Sequence, residues 1–171
     1  MDQQLFVENL GLLVEALTGL TRMSGRILGW LMIGDAPAAT MPDLTEALHT
    51  SKSAISTSTR QLMQVGLIER KSVPGQRRDV YQLRPDVWSR LLLWEAQKYA
   101  RFHNLAEEGL TLLADAPDEK KKAMQEMADL TGHLAEGVPR LITQWQENTS
   151  RTTSSRSVRN RKGASPHPWE L

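Results

Sequence analysis

The sequence predicts a mainly α-helical chain carrying one small two-stranded hairpin, and three observations make that prediction. Apolar residues recur at helical spacing through most of residues 1–148, Gly and Pro punctuate those stretches, and only residues 67–83 switch to short Ile, Val, Tyr and Leu runs around a Pro-Gly turn. A length of 171 residues suits one compact domain with appendages. Hydrophobic residues at 40% and charged residues at 24% support a packed core and exclude collagenous or disordered classes. The lack of cysteine excludes disulfide frameworks, thiol nucleophiles and thiolate zinc sites. The longest apolar run, 27–33, is too short to cross a bilayer, and Met1-Asp2-Gln3-Gln4 lacks the basic opening of a secretory signal. A cytoplasmic chain with no membrane partner is expected.

The elements follow in order. Phe6, Leu10, Leu13, Leu17 and Leu20 recur at steps of four and three, predicting a first amphipathic helix with Asp2 as its cap. Residues 21–33 read as a second, mostly apolar helix in which Gly25 and Gly29 allow a neighbour to approach closely. Gly34-Asp35-Ala36-Pro37 ends it. A short third helix, 40–49, is capped by Thr40 with Asp43 three residues on and Pro42 in its first turn. After a tight connection, Ser51 caps a helix over 52–65 that stops at Gly66. Strands over 67–72 and 79–83 enclose a loop holding Pro74, Gly75, Arg77 and Arg78, a hairpin with a basic tip. Pro85 and Asp86 open a helix to about Leu113, with Trp88, Leu92, Tyr99, Phe102, Ala106 and Leu113 on one face. Ala116-Pro117 breaks it. The last helix runs to about Asn148 and carries a heptad-like seam of Met124, Met127, Thr131, Leu134, Val138, Leu141 and Trp145, with a kink expected near Pro139. Such a seam needs a partner.

Charge is distributed unevenly. The net value is only +1, yet residues 50–84 hold seven basic groups (Lys52, Arg60, Arg70, Lys71, Arg77, Arg78, Arg84) against Glu69 and Asp79. A +5 segment in an otherwise acidic body is a surface suited to phosphate. On a helical wheel Ile55 and Leu62 fall on one side of the 52–65 helix, while Ser53, Thr57, Arg60 and Gln64 gather opposite, flanked by Ser56 and Gln61. The run Ser56-Thr57-Ser58-Thr59 is poor for helix stability, so something other than propensity accounts for it. Short hydroxyl side chains let a helix lie deep in a major groove. Arg60 has the geometry to read guanine, Gln61 or Gln64 to read adenine, and Arg77 and Arg78 suit the minor groove or flanking phosphates. Alone, each element also reads as ordinary solvated surface; their order, helix, turn, hydroxyl-rich helix, Gly stop, strand, basic loop, strand, favours nucleic acid.

Residues 23–84, through Gly25-Arg26-Ile27-Leu28-Gly29-Trp30-Leu31, Ser51-Lys52-Ser53-Ala54-Ile55-Ser56 and Gly66-Leu67-Ile68-Glu69-Arg70, resemble a MarR-type winged helix-turn-helix regulator, closest to its GbsR-like branch. Arg77 matches the family's wing arginine. Gly75 stands where the family carries an acidic residue, and Asp79 is the candidate substitute. The resemblance implies residues 1–20 as an N-terminal dimerisation helix, 21–85 as the winged DNA-binding domain and 86–148 as a C-terminal helical dimerisation region, while 149–171, dominated by Ser, Thr and Arg without apolar periodicity, read as a disordered basic tail. It further implies a homodimeric transcriptional regulator, a repressor or an activator with repressor favoured, on an inverted-repeat DNA operator. The DNA-binding set is then Ser51, Lys52, Ser53, Ser56, Thr57, Arg60, Gln61, Gln64, Arg77 and Arg78.

Other constellations point less sharply. Trp88, Trp94 and Tyr99 share one helix and Trp145 lies on its partner. Their default reading is core and interface; the sharper one is an aromatic cleft for a small-molecule effector, quaternary amines being sensed by some GbsR-like regulators. His103 and Glu107 stand one turn apart without a third ligand, so no metal is expected. No Gly-rich phosphate loop, nucleophile elbow or catalytic carboxylate pair occurs, and neither enzymatic activity nor a cofactor is expected. The competing class is a winged-helix module that binds an acidic protein partner, because fold alone does not determine function.

Overall fold

The computed structural model describes residues 2–72, 74–75 and 78–162, with side chains described through residue 149. Six helices and three strands follow in the order α1 Gln3–Thr18, α2 Arg22–Ile33, β1 Ala38–Thr40, α3 Met41–Ala47, α4 Lys52–Gln64, β2 Ile68–Lys71, β3 Val80–Leu83, α5 Val87–Leu112 and α6 Asp118–Lys162. None of the described helices is long and apolar enough to cross a membrane. The chain divides into two compact units, 1–95 and 96–171.

Local chemistry explains most boundaries. Gly19 ends α1 in the left-handed region at φ 74°, and Thr21 caps α2 by accepting from the Ser24 N–H. Thr40 and Asp43 form a reciprocal capping box at α3. Ser51 caps α4 through the Ala54 N–H at 3.2 Å. Beyond α4, Gly66 adopts φ 73° while the Leu67 N–H returns to the Leu62 carbonyl, which turns the chain directly into β2. The connection between α3 and α4 is tight because His49 itself takes a positive φ of 47°.

The hairpin acquires a third strand. The antiparallel sheet has the order β1-β3-β2, with Ala39 opposite Tyr81 and Arg70 opposite the same Tyr81 from the other side. The sequence predicts only the Thr40 cap here and no strand; three residues are too few to show strand periodicity, and pairing with β3 defines them. The core of the first unit joins Ile27, Leu28 and Leu31 of α2 to Leu44, Leu48, Ile55, Leu62, Leu67 and Ile68. Ile55 and Leu62 are fully buried, each contributing about 1.5–3 kcal/mol and together defining which face of α4 looks outward.

Two expectations about helix faces change. α1 meets α2 chiefly through Val7, Gly11, Val14 and Thr18; of the expected face Leu20 is buried and Leu10 packs on the core, but Leu13 and Leu17 are 54% and 67% exposed. The small residues win because α2 presents glycine: a Cβ on Gly25 would lie 2.8 Å from the Gly11 Cα and one on Gly29 3.2 Å from the Val7 Cα. At that separation a side chain larger than hydrogen does not fit at Gly25, and Leu10 packs beside the contact, its Cδ2 3.4 Å from where a Gly29 Cβ would lie. In α5, Trp88, Leu92 and Phe102 of the expected face are exposed, while Ala106 of that face is buried together with Leu91 and Ala96.

In the second unit, His103 Nδ1 lies 2.9 Å from the Ala128 carbonyl, His103 packs over Gly132, and Met124 packs over Gly109. Those pairs run in opposite chain senses, so α5 and α6 lie antiparallel there. Of the expected α6 seam, Met124, Met127, Thr131, Leu134 and Val138 are half-buried, whereas Leu141 and Trp145 are exposed and Ile142 is buried instead. α6 passes through Pro139 and continues to Lys162, beyond the end expected near Asn148. The rest of the basic tail, 163–171, lies outside the described residues.

Candidate nucleic-acid interface

α4 is held by its apolar side and presents its polar side. Ser51, Lys52, Ser53, Thr57, Arg60 and Gln64 are exposed and Ser56 is half-buried, in agreement with the wheel. The hydroxyl run divides between two roles. Ser58 and Thr59 are buried, with the Thr59 hydroxyl donating to the Ile55 carbonyl at 2.8 Å and Ser58 Oγ 3.3 Å from Thr21 Oγ1. Only Ser56 and Thr57 remain toward solvent.

Gln61 flanks the outward face, half-buried, and its amide oxygen is turned inward. Its Oε1 accepts from the Ser24 hydroxyl at 2.8 Å and from the Thr21 N–H and hydroxyl at 3.4 Å, tying α4 to the start of α2. Reading adenine with both amide atoms needs that oxygen free. Thr21 and Ser24 are hydrogen-bond partners of α4 that sequence reasoning missed. Their only signal was the cap spacing, which does not disclose a partner forty residues away.

The hairpin stem is braced by charge. Asp79 pairs with the Arg70 guanidinium across the strands, Nε to Oδ2 at 2.6 Å, and accepts from the Ser72 hydroxyl at 2.5 Å. The Ser72 hydroxyl first, and Arg70 second, hold the Asp79 carboxyl below the usual carboxylate range. Asp79 was the candidate substitute for the acidic group that Gly75 lacks; its described partner is Arg70, and Arg77, the arginine it would orient, lies outside the described residues. On the neighbouring strand Glu69 gathers Lys71 at 2.9 Å and the Gln82 amide at 2.7 Å, and Lys71 chiefly lowers its pKa.

Helix and hairpin share one side of the unit. Lys52 at the start of α4 and Arg70 and Arg78 of the hairpin line a single open cleft of about 700 Å³, floored by Met41, Pro42 and Tyr81. The Asp43 carboxyl is lowered mainly by its hydrogen bonds from the Thr40 N–H and hydroxyl, with the Arg78 charge adding to them. Arg78 is exposed and Arg60 forms no ion pair among the described residues, so both cations are available to an anion. Of the aromatic set, Trp94 packs on the core of the first unit while Trp88 is exposed. Tyr99 and Trp145 belong to the second unit, half-buried and exposed respectively.

Comparison with known proteins agrees with this geometry. Residues 18–79 match the model of the MarR family, and residues 86–148 match that of MmpR5-like MarR family transcriptional regulators. The chain is 35% identical over 144 residues to the HTH-type transcriptional regulator MmpR5 of Mycobacterium tuberculosis, covering 84% of this chain and 87% of that protein. A crystal structure described as a transcriptional regulator is similar at a TM-score of 0.72 and 35% identity, over 86% of this chain and 99% of that one.

Proposed function

The chain belongs to the MarR family of transcriptional regulators, and from that premise we propose that it binds duplex DNA as a homodimer, as a repressor at an inverted repeat. α4 enters the major groove through Ser53, Thr57, Arg60 and Gln64, with Ser51, Lys52 and Ser56 at its edge, and the hairpin bearing Arg77 and Arg78 follows the backbone or minor groove. The observation that carries this reading is the shared cleft: Lys52 of α4 and Arg70 and Arg78 of the hairpin face the same space, beside an α4 surface made of hydroxyls, an amide and a guanidinium. A twofold dimer places half-sites about one helical turn apart, roughly 34 Å.

Selection of bound sites from a random DNA pool tests it, with an enriched inverted repeat as the expected result. On the selected operator, Arg60→Ala should cost about 1–3 kcal/mol and relax preference at one base position, whereas Arg78→Ala should weaken every sequence alike. An equal loss on all sequences for Arg60→Ala would contradict base reading.

Dimerisation is supported by apolar residues left uncovered in each unit. Leu5, Leu12, Leu13 and Leu17 are exposed on α1; Phe102, Leu105 and Leu112 are exposed on α5, and Leu130, Leu141 and Trp145 on α6. Clusters of large apolar side chains left exposed in this way mark interaction surfaces. Trp88, Trp94, Tyr99 and Trp145 are proposed as effector contacts. The GbsR-like likeness of residues 23–84 makes choline-like cations the first ligands to titrate by calorimetry; no heat and no change in DNA affinity would remove that proposal.

A further inference from the structure

The structure separates Gln61 from the other polar residues of α4. Its amide oxygen is the acceptor in a compact polar knot, 2.8 Å from the fully buried Ser24 hydroxyl, which itself lies 2.9 Å from Thr21 Oγ1. The Thr21 backbone N–H also points at that oxygen, and a backbone N–H only donates, so the oxygen and not the NH₂ must face α2. The Nε2 group is thereby directed away from the knot. It forms no hydrogen bond among the described residues, and Gln61 is half-buried, immediately next to exposed Arg60.

We infer that Gln61 is a contact to the DNA backbone, its Nε2 donating to a phosphate oxygen, and that Ser24 and Thr21 are positioning residues acting through it. The inference rests on the DNA-binding reading above and changes the part played by Gln61 within it. A base reader needs both amide atoms free to choose adenine; this side chain has only donors left, and a phosphate is an acceptor of that kind beside every base pair. The knot also explains why a side chain flanking the recognition surface is immobilised before DNA arrives: less rotamer freedom is lost when the contact forms.

The test compares wild type, Ser24→Ala, Gln61→Met and the double variant, by fluorescence anisotropy on the selected operator and on a scrambled duplex, with thermal melting in parallel. Gln61→Met should weaken both duplexes by about tenfold, the loss of one hydrogen bond to a charged acceptor. Ser24→Ala should weaken both by a smaller factor, although Ser24 is too buried to touch DNA, and should cost nothing further once Gln61 is Met. A purely structural Ser24 would instead lower the melting temperature and leave affinity unchanged well below it. If Gln61→Met does not fold, Gln61→Glu keeps the acceptor toward Thr21 and Ser24, replaces the donor by a repelling oxygen, and should show a larger uniform loss. Unchanged affinity, a loss confined to one base position, or additive losses in the double variant overturns the inference. A wild-type chain that binds neither duplex overturns the DNA-binding reading itself.

Discussion

Replacing Leu13 and Leu17 together by glutamate should give a monomer by sedimentation and lower affinity for the full operator by about 10²–10⁴, the avidity that joining two half-site binders supplies. Both side chains are more than half exposed on α1, so charges there do not enter the core of the first unit, and the circular dichroism spectrum should be unchanged. They would face each other, or other apolar side chains, across a twofold axis, where buried unpaired carboxylates are costly. Affinity for an isolated half-site should barely move. A variant that stays dimeric and binds as tightly as wild type would place the dimer surface elsewhere.

The largest effect on stability is expected from Gly25→Ala. The new Cβ would lie 2.8 Å from the Gly11 Cα, 2.9 Å from the Leu10 carbonyl oxygen and 2.9 Å from the Val14 Cβ. Two of those atoms are backbone and have no rotamer through which to escape, so α1 and α2 must separate. Overpacking of this kind costs about 1–3 kcal/mol, and at roughly 2–4 °C per kcal/mol for a chain of this size the melting temperature should fall by about 2–12 °C. Gly137→Ala is the control, because nothing stands within 4 Å of a Cβ there. Alanine in that helix interior should be neutral or stabilise by up to about 1 kcal/mol. Equal shifts at the two positions would dispose of the close-approach account.

Helix starts and stops were legible because each depends on neighbours in the chain. Thr40 with Asp43, Ser51 with Ala54, and Gly66 behind α4 bond within a few residues of themselves, and the outward face of α4 followed from the spacing of Ile55 and Leu62 alone. The wing's Pro-Gly turn was legible for the same reason, with Gly75 at φ 84°, whereas Arg77 of the expected basic tip lies outside the described residues. Other features were not. The third strand is three residues whose only reason to be extended is β3. The leucine spacing on α1 correctly announced a helix, but it did not say which side α2 would take. The Ser-Thr run was visible as an anomaly, yet its division into two buried and two outward hydroxyls depends on where Thr21 and the helix backbone lie.

What the amino-acid sequence determined by itself, then, was the list of helices, the hairpin, the polar face of α4 and the concentration of positive charge around it. Tertiary structure alone decided that Gly11 and Gly25 bring α1 and α2 into close contact, that α1 turns Leu13 and Leu17 outward, and that Gln61 turns its oxygen to Ser24. The physical reason is range. Capping and periodicity are set by bonds a few residues long, whereas burial and amide orientation belong to pairs of surfaces that meet only when distant segments pack.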